Sequence, residues 1–139
     1  MLRGIKEAQP FFESLERGEV LAYTSVLTFD ELGHRLILAL IKDHYVGSPP
    51  ELLRDEEELL AEFAPAVSSL LKRLCGYTNL TVHDVLVSDL GVMNEVMPQY
   101  RLRRRDALHF AAMQRVGCMN LANNDSDFDH IPTIKRYTV

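Results

Sequence analysis

Residues 20–41, VLAYTSVLTFDELGHRLILALI, decide the fold class of this chain. The segment opens on a short, apolar and β-prone run at residues 20–26, which predicts a buried strand. Apolar residues then recur at helical spacing. Thr28 and Glu31 have the spacing of a capping box, so a helix is expected to begin near Thr28. A strand that runs directly into a helix is typical of an α/β protein.

The rest of the chain repeats this alternation of helices and short strands. Before residue 20, apolar residues at helical spacing end at Gly18. Residues 50–74 predict a long helical region, with a break considered at Pro65. The remaining predicted elements are strands at 80–82, 119–122 and 133–139, and helices at 84–98 (capped by Asp84) and 104–116. This pattern predicts a parallel sheet with helices on both faces.

Length and composition fit a single soluble domain spanning residues 1–139. Hydrophobic residues make up 47% and charged residues 25% of the chain, which is typical of a packed globular protein. The longest apolar run, residues 36–41, is far shorter than the ~20 residues that span a bilayer, and no signal segment opens the chain. We therefore expect a cytoplasmic protein with no membrane partner. Cys75 and Cys118 form no paired motif, which excludes a zinc ribbon and predicts two buried free thiols.

Acidic residues lie where the predicted strands end and the helices begin. Glu31 follows the first predicted strand, and Asp106 lies in the first turn of the last predicted helix. Asp125 and Asp127 follow the next strand. The carboxyl ends of parallel strands meet at one edge of a sheet, where these acids can share a hard cation. The net charge of −5 fits such a site, since a bound metal restores local positive charge.

Each acid also has an ordinary structural explanation, which stays open at this point. Glu31 can complete the capping box, Asp106 can complement a helix dipole, and Asp127 can cap a turn. Rival motifs fit less well. The calcium-loop pattern that starts at Asn123 lacks its glycine and its glutamate, and a phosphate-binding loop and a nucleophile elbow are absent from the sequence. Acid-x-x-His pairs at 31–34 and 106–109 match di-iron bundles, but those are all-helical, so the two histidines are interpreted as supporting residues.

A cluster of arginines immediately precedes Asp106. Like charges at the start of a helix oppose its dipole, a cost that is easier to understand if the cluster contacts phosphate. A solvated helix start is the alternative interpretation. We assign RNA contact to the three arginines next to the acid, Arg103, Arg104 and Arg105.

Four segments, in this order, resemble the PIN-domain ribonucleases of the kind found in VapC toxins. TSVLTFDE at residues 24–31 resembles the segment that carries the family's second acid, and RDALH at 105–109 resembles its D-A-x-H helix start. NNDSDF at 123–128 is similar to its T-N-D-x-D-F turn. IPTIK at 131–135 resembles the approach to its last strand. The match covers nearly the whole chain.

The resemblance implies a three-layer α/β/α domain with a short central parallel sheet. It implies a site that holds Mg²⁺ or Mn²⁺ and hydrolyses RNA phosphodiester bonds. Glu31, Asp106 and Asp125 are then the catalytic, metal-binding acids, and Asp127 is a further metal ligand. The resemblance also implies a homodimer and, for a toxin, a small antitoxin that blocks the site.

The sequence departs from this family at its start. PIN domains open on a central strand that ends in an aspartate and supplies the first metal ligand, whereas MLRG at residues 1–4 is interpreted as part of a helix. We therefore expect a sheet that is incomplete at its centre, between the strands at 20–26 and 119–122. A natural protein that is longer upstream is the favoured explanation. The alternative is a catalytically degenerate PIN-like module that acts by binding protein or RNA.

Overall fold

The computed structural model describes residues 3–55 and 57–139, with side chains from residue 8 onward. Met1, Leu2 and Glu56 lie outside the described residues. In chain order the main elements are α1 (Arg3–Glu16), β1 (Ala22–Ser25), α2 (Val26–His44), α3 (Pro49–Asp55), α4 (Glu57–Cys75), β2 (Leu80–His83), α5 (Val87–Tyr100), α6 (Arg104–Val116), β3 (Asn120–Ala122) and β4 (Lys135–Tyr137). Helices alternate with short parallel strands, as the sequence predicts for an α/β protein.

The junction between β1 and α2 differs from its prediction. β1 is only four residues long, and α2 begins at Val26 directly after Ser25. Thr28 therefore lies inside the helix, and the predicted capping box of Thr28 and Glu31 is wrong. β1 pairs with β2 from Ala22 to Ser25, so the extended backbone ends where the pairing ends.

Pro65 does not interrupt the helical region before β2. It lies inside α4, which runs from Glu57 to Cys75. A proline in a helix removes one backbone hydrogen bond. Phe63 and Val67, the residues two before and two after Pro65, are both buried, so packing on this face offsets the lost hydrogen bond. The break considered at Pro65 is therefore not observed, because tertiary packing outweighs the local preference of proline.

The strands of the described part of the chain form two separate sheets of two strands each. β1 pairs with β2, and β3 pairs with β4, and both pairings are parallel. β1 and β3 are not hydrogen-bonded to each other within the residues described. The described strands thus form no single continuous sheet, and a gap between β1 and β3 at the centre of one sheet stays a prediction.

The hydrophobic core is divided in the same way. We call residues 3–83 the N-terminal half and residues 84–139 the C-terminal half. In the N-terminal half, α2 packs against α3 and α4 around Ile41, Leu59 and Phe63. In the C-terminal half, α5 packs against α6 around a cluster formed by Val96, Leu102, Ala107, Phe110, Phe128 and Ile131. Each half thus packs around its own cluster of buried residues.

A buried ion pair holds α5 against α6. Asp89 is 2% exposed, and both of its carboxylate oxygens accept hydrogen bonds from Arg115, at 3.0 and 3.1 Å. The Leu86 backbone N–H also donates to Asp89 at 2.8 Å, so Asp89 rather than the predicted Asp84 caps α5. The hydrogen bonds from Arg115 hold the pKa of Asp89 below its ordinary value, although burial opposes them. This pair fixes the helix that carries Asp106.

Two further expectations concern the cysteines and the membrane. Cys75 is exposed and Cys118 is half-buried, and both are free among the described residues. The prediction that both thiols are buried is therefore wrong, because Cys75 is the last residue of α4 and faces solvent. In the described part of the chain, no helix combines the length and apolarity needed to cross a bilayer.

Candidate active site

Asp106 is placed by a tight connection between α5 and α6. Arg101 adopts the left-handed conformation, with φ of 53°, and ends α5. The next residue, Leu102, is buried in the C-terminal core, and Arg103 is the extended residue before α6. Asp106 is the third residue of α6 and is half-buried, next to the fully buried Ala107. The core contacts of its neighbours therefore fix the position of this acid.

Asp125 and Asp127 lie in the turn that follows β3. The Asn123 side-chain oxygen accepts a hydrogen bond from the Asp125 N–H at 2.9 Å, and the Asp125 carboxylate accepts one from the Asp127 N–H at 3.0 Å. Asp125 thereby caps a short 3-10 helix that is anchored by buried Phe128. The turn-capping role considered for Asp127 thus falls to Asp125, and both carboxylates remain at the surface.

The acids of α6 and of this turn share one electrostatic environment. The pKa of Asp106 lies above its ordinary value, first because of its burial and then because of the negative charges of Asp125 and Asp127. His109 and Arg103 act in the opposite direction. Asp125 and Asp127 therefore lie within electrostatic reach of Asp106, and the ionised form of Asp106 is less favourable there than in water.

Glu31 reaches α6 from the other half of the molecule. One Glu31 carboxylate oxygen lies 3.2 Å from Arg105 Nη1, and the other lies 3.3 Å from His109 Nε2. Arg105 also lies 4.0 Å from Asp30. We call the three residues Glu31, Arg105 and His109 the Glu31 clamp. We call Asp106, Asp125 and Asp127 the acidic group. Asp106 stands between Arg105 and His109 in the sequence of α6, so the clamp lies beside this group.

The predicted site residues are thus brought together only in part. Asp106 is coupled to Asp125 and Asp127, whereas Glu31 is engaged by Arg105 and His109. Within residues 3–55 and 57–139, no three acidic, histidine or cysteine side chains are arranged to hold one metal ion. The assignment of these acids as metal ligands stays a prediction. Arg103 and Arg104 are exposed at the start of α6.

Sequence reasoning missed several polar residues near this end of the strands. It did not predict the contact between His109 and Glu31. The available signal was that His109 lies one helical turn after Arg105 and so shares a face of α6 with it. It also missed Ser25 and His83, which are register partners at the ends of β1 and β2. Ser25 is 4% exposed, and among the described residues its hydroxyl and His83 Nε2 have no hydrogen-bond partner. His34, in contrast, is exposed and lines a shallow groove between α2 and α4.

Comparison of this chain with protein-family models, curated proteins and solved structures found no match. The case for its function therefore comes from its sequence patterns and from the geometry of the Glu31 clamp and the acidic group.

Proposed function

We propose that this protein is a metal-dependent endoribonuclease of the PIN type that hydrolyses RNA phosphodiester bonds. One observation carries the proposal. Burial raises the pKa of Asp106, and the negative charges of Asp125 and Asp127 raise it further, so the three carboxylates lie within electrostatic reach of one another. Groups with a perturbed pKa are found preferentially at functional sites, and such crowding of like charge is expected where a cation binds.

The chemistry of these side chains suits Mg²⁺ or Mn²⁺. Both ions prefer oxygen ligands, and all the acids of the group are carboxylates. A cation beside Asp106 would favour its ionised form and offset the repulsion from Asp125 and Asp127. In the proposal these three acids hold the ion together with Glu31. When bound, such an ion activates water and offsets negative charge on the phosphoryl oxygens.

The residues of this chain would divide the remaining work among them. Any acid of this group that does not bind the ion is able to orient an attacking water as a general base. Arg103 and Arg104 extend from the start of α6 into solvent, where they can contact RNA phosphates. Arg105 belongs to the same basic cluster but is held by Glu31 in the structure.

The larger setting is also part of the proposal. The two short parallel sheets become a three-layer α/β/α domain if a further strand lies between β1 and β3. As a VapC-type toxin, the protein would act as a homodimer in the cytoplasm, on an RNA substrate, and a small antitoxin would block its site.

A second function is favoured by one specific contact. Glu31, a predicted metal ligand, is engaged by Arg105 and His109. A catalytically degenerate PIN-like module that binds RNA or protein would keep this arrangement permanently. The two functions differ in whether RNA cleavage depends on a metal.

The decisive experiment measures cleavage of single-stranded RNA by the purified protein with Mn²⁺, with Mg²⁺ and with EDTA. We expect cleavage with the metals only, and Asp106→Asn should lower its rate more than ~100-fold, since losing even a group that supports a metal ligand costs 10- to 100-fold. Asparagine has the same shape as aspartate but lacks the charge that holds the ion.

Glu95→Gln is the matched control, because Glu95 is exposed on α5 and the change also removes one carboxylate. This variant should cleave like the wild type. Full RNA cleavage by Asp106→Asn would show that Asp106 is not part of the catalytic site. A folded wild-type protein that binds RNA without cleaving it would favour the degenerate module.

A further inference from the structure

The Glu31 clamp joins the two halves of the molecule at the edge of the acidic group. Glu31 belongs to α2 in the N-terminal half, whereas Arg105 and His109 belong to α6 in the C-terminal half. The two halves pack around separate cores, and these side-chain contacts join Glu31 to α6 across the boundary between them. The clamp therefore holds a residue that the proposed function places at the metal.

The two partners of Glu31 differ in their exposure. The side chain of His109 is 22% exposed, similar to the 25% of Glu31, whereas that of Arg105 is 61% exposed. An exposed ion pair contributes little to stability, because water solvates both charges well. Arg105 is thus the member of the clamp that is most easily exchanged, and His109 is the member that stays.

The Nη1 and Nη2 atoms of Arg105 cannot bind Glu31 and a bidentate phosphate at the same time. Its guanidinium lies 3.2 Å from Glu31 and 4.0 Å from Asp30, so two carboxylates surround it. A phosphodiester matches the planar fork of an arginine at least as well as a carboxylate does. A phosphate that binds through Nη1 and Nη2 takes the nitrogen that Glu31 uses, and it therefore displaces Glu31 from Arg105.

We propose that Arg105 exchanges Glu31 for an RNA phosphate when RNA binds. The Glu31 oxygen that Arg105 held is then free to turn toward the acidic group, while His109 keeps its contact with the other oxygen. This inference rests on the proposed function, because it takes the phosphate to be that of RNA. Glu31 then acts as a competitor for Arg105 in the free protein. Arg105 is a positioning residue, since it acts through Glu31 rather than on the scissile bond.

The test is a double-mutant cycle on RNA binding without metal. The affinity of a fluorescein-labelled single-stranded RNA is measured by anisotropy in EDTA, so that neither cleavage nor metal binding contributes. The proteins are the wild type, Glu31→Gln, Arg105→Ala and the double variant. Asp43→Asn, exposed near the other end of α2, controls for the removal of one negative charge. Arg105→Lys, which keeps the charge without the fork, replaces Arg105→Ala if that variant does not fold.

We expect Glu31→Gln to tighten RNA binding about two- to fivefold, the range that an exposed ion pair contributes. In the Arg105→Ala background the same change should have almost no effect, and Asp43→Asn should have almost none in either background. This pattern is specific to exchange at Arg105.

Three results would overturn the exchange. An equal gain in RNA affinity in both backgrounds would mean that Glu31 weakens RNA binding only through its negative charge, and not by competing for Arg105. Weaker binding by Glu31→Gln would mean that Glu31 orients Arg105 for phosphate instead of competing with it. RNA binding by none of the proteins would refute both the exchange and the proposed function. The expected cycle in a protein that shows no metal-dependent cleavage would refute the nuclease and support the exchange.

Discussion

The two halves of the molecule hold their charged groups in opposite ways. In the C-terminal half, Asp89 is buried and fully paired with Arg115, while Asp106 is half-buried among other acids. In the N-terminal half, Glu31 projects from α2 and finds its partners across the boundary. The C-terminal half therefore contains both the buried Asp89–Arg115 pair and the acids that repel Asp106. The N-terminal half supplies a single acid, Glu31, to the candidate site.

This difference shows where the geometry of the candidate site is well determined. Asp106 is fixed by the α5–α6 core and by the Asp89–Arg115 pair, both within one half. Glu31 depends on a contact between halves whose arginine is largely exposed. Three predictions test this comparison, from the largest expected effect to the smallest.

The largest effects should come from truncating one core aromatic residue in each half. Phe63 and Phe110 are both buried, in separate clusters. We expect Phe63→Ala and Phe110→Ala each to lower the free energy of unfolding by about 3–5 kcal/mol, because each leaves a cavity in a packed core. Hydrogen exchange should show the loss of protection mainly in the half that carries the substitution.

Phe12→Ala is the control, since Phe12 is exposed on α1 and its removal should have a small effect. An equal loss of protection in both halves after either core substitution would contradict the comparison. It would show that the halves unfold as one cooperative unit.

An intermediate effect is expected from the buried ion pair. Asp89→Asn leaves Arg115 without its charged partner, and we expect a loss of about 2–3 kcal/mol. This is below the usual 3–5 kcal/mol for a broken buried pair because the Arg115 side chain is 30% exposed. Asp84→Asn is the control for the loss of one nearby charge, because Arg115 hydrogen-bonds the backbone carbonyl of Asp84 and its carboxylate acts on Arg115 only through its charge.

The same pair should give a definite dependence on pH. The pKa of Asp89 is lowered in the folded protein, so its contribution is present above the unfolded pKa of about 3.9. It is lost as the pH falls through the lower, folded value. Urea unfolding curves of the wild type and Asp89→Asn should therefore differ at pH 7 and approach each other in strong acid. A constant difference at all pH values would assign the effect to shape rather than to charge.

The smallest effects should have opposite signs in the two halves. Because the pKa of Asp106 is raised, its charged form destabilises the folded state above that pKa. Asp106→Asn should therefore stabilise the protein at pH 7, and this gain should vanish below the unfolded pKa of about 3.9. Glu31→Gln should instead destabilise it slightly, by about 0.2–1 kcal/mol, because an exposed ion pair is lost.

Thermal unfolding at pH 7 and at pH 3 measures both variants under the same conditions. A loss of stability in Asp106→Asn at pH 7 would contradict the proposed strain among Asp106, Asp125 and Asp127. A gain of stability in Glu31→Gln would show that the clamp itself is unfavourable.

Local patterns predicted some elements well and others poorly. The helix predicted at 104–116 has the bounds observed for α6, because its alanines recur on one face and Gly117 ends it in the left-handed conformation, with φ of 75°. The predicted start of α2 near Thr28 was wrong, and the break considered at Pro65 does not occur. Both depend on partners distant in sequence: β2 determines where β1 ends, and buried neighbours compensate for the proline.

The sequence by itself placed Asp106 in the first turn of α6 and Asp125 and Asp127 in the turn after β3, since position along the chain follows from local hydrophobic periodicity. Glu31 lies in the second turn of α2 instead, and α6 follows a helix rather than a strand, so the predicted strand–helix junctions are wrong for these two acids. Only the tertiary structure decided how the acids are grouped. It joins Asp106 electrostatically to Asp125 and Asp127, and it brings His109 to Glu31 across 78 positions. The physical reason is that such contacts depend on how separate elements pack, and packing is determined by the burial of whole helix faces. A pattern of neighbouring residues carries no information about that arrangement.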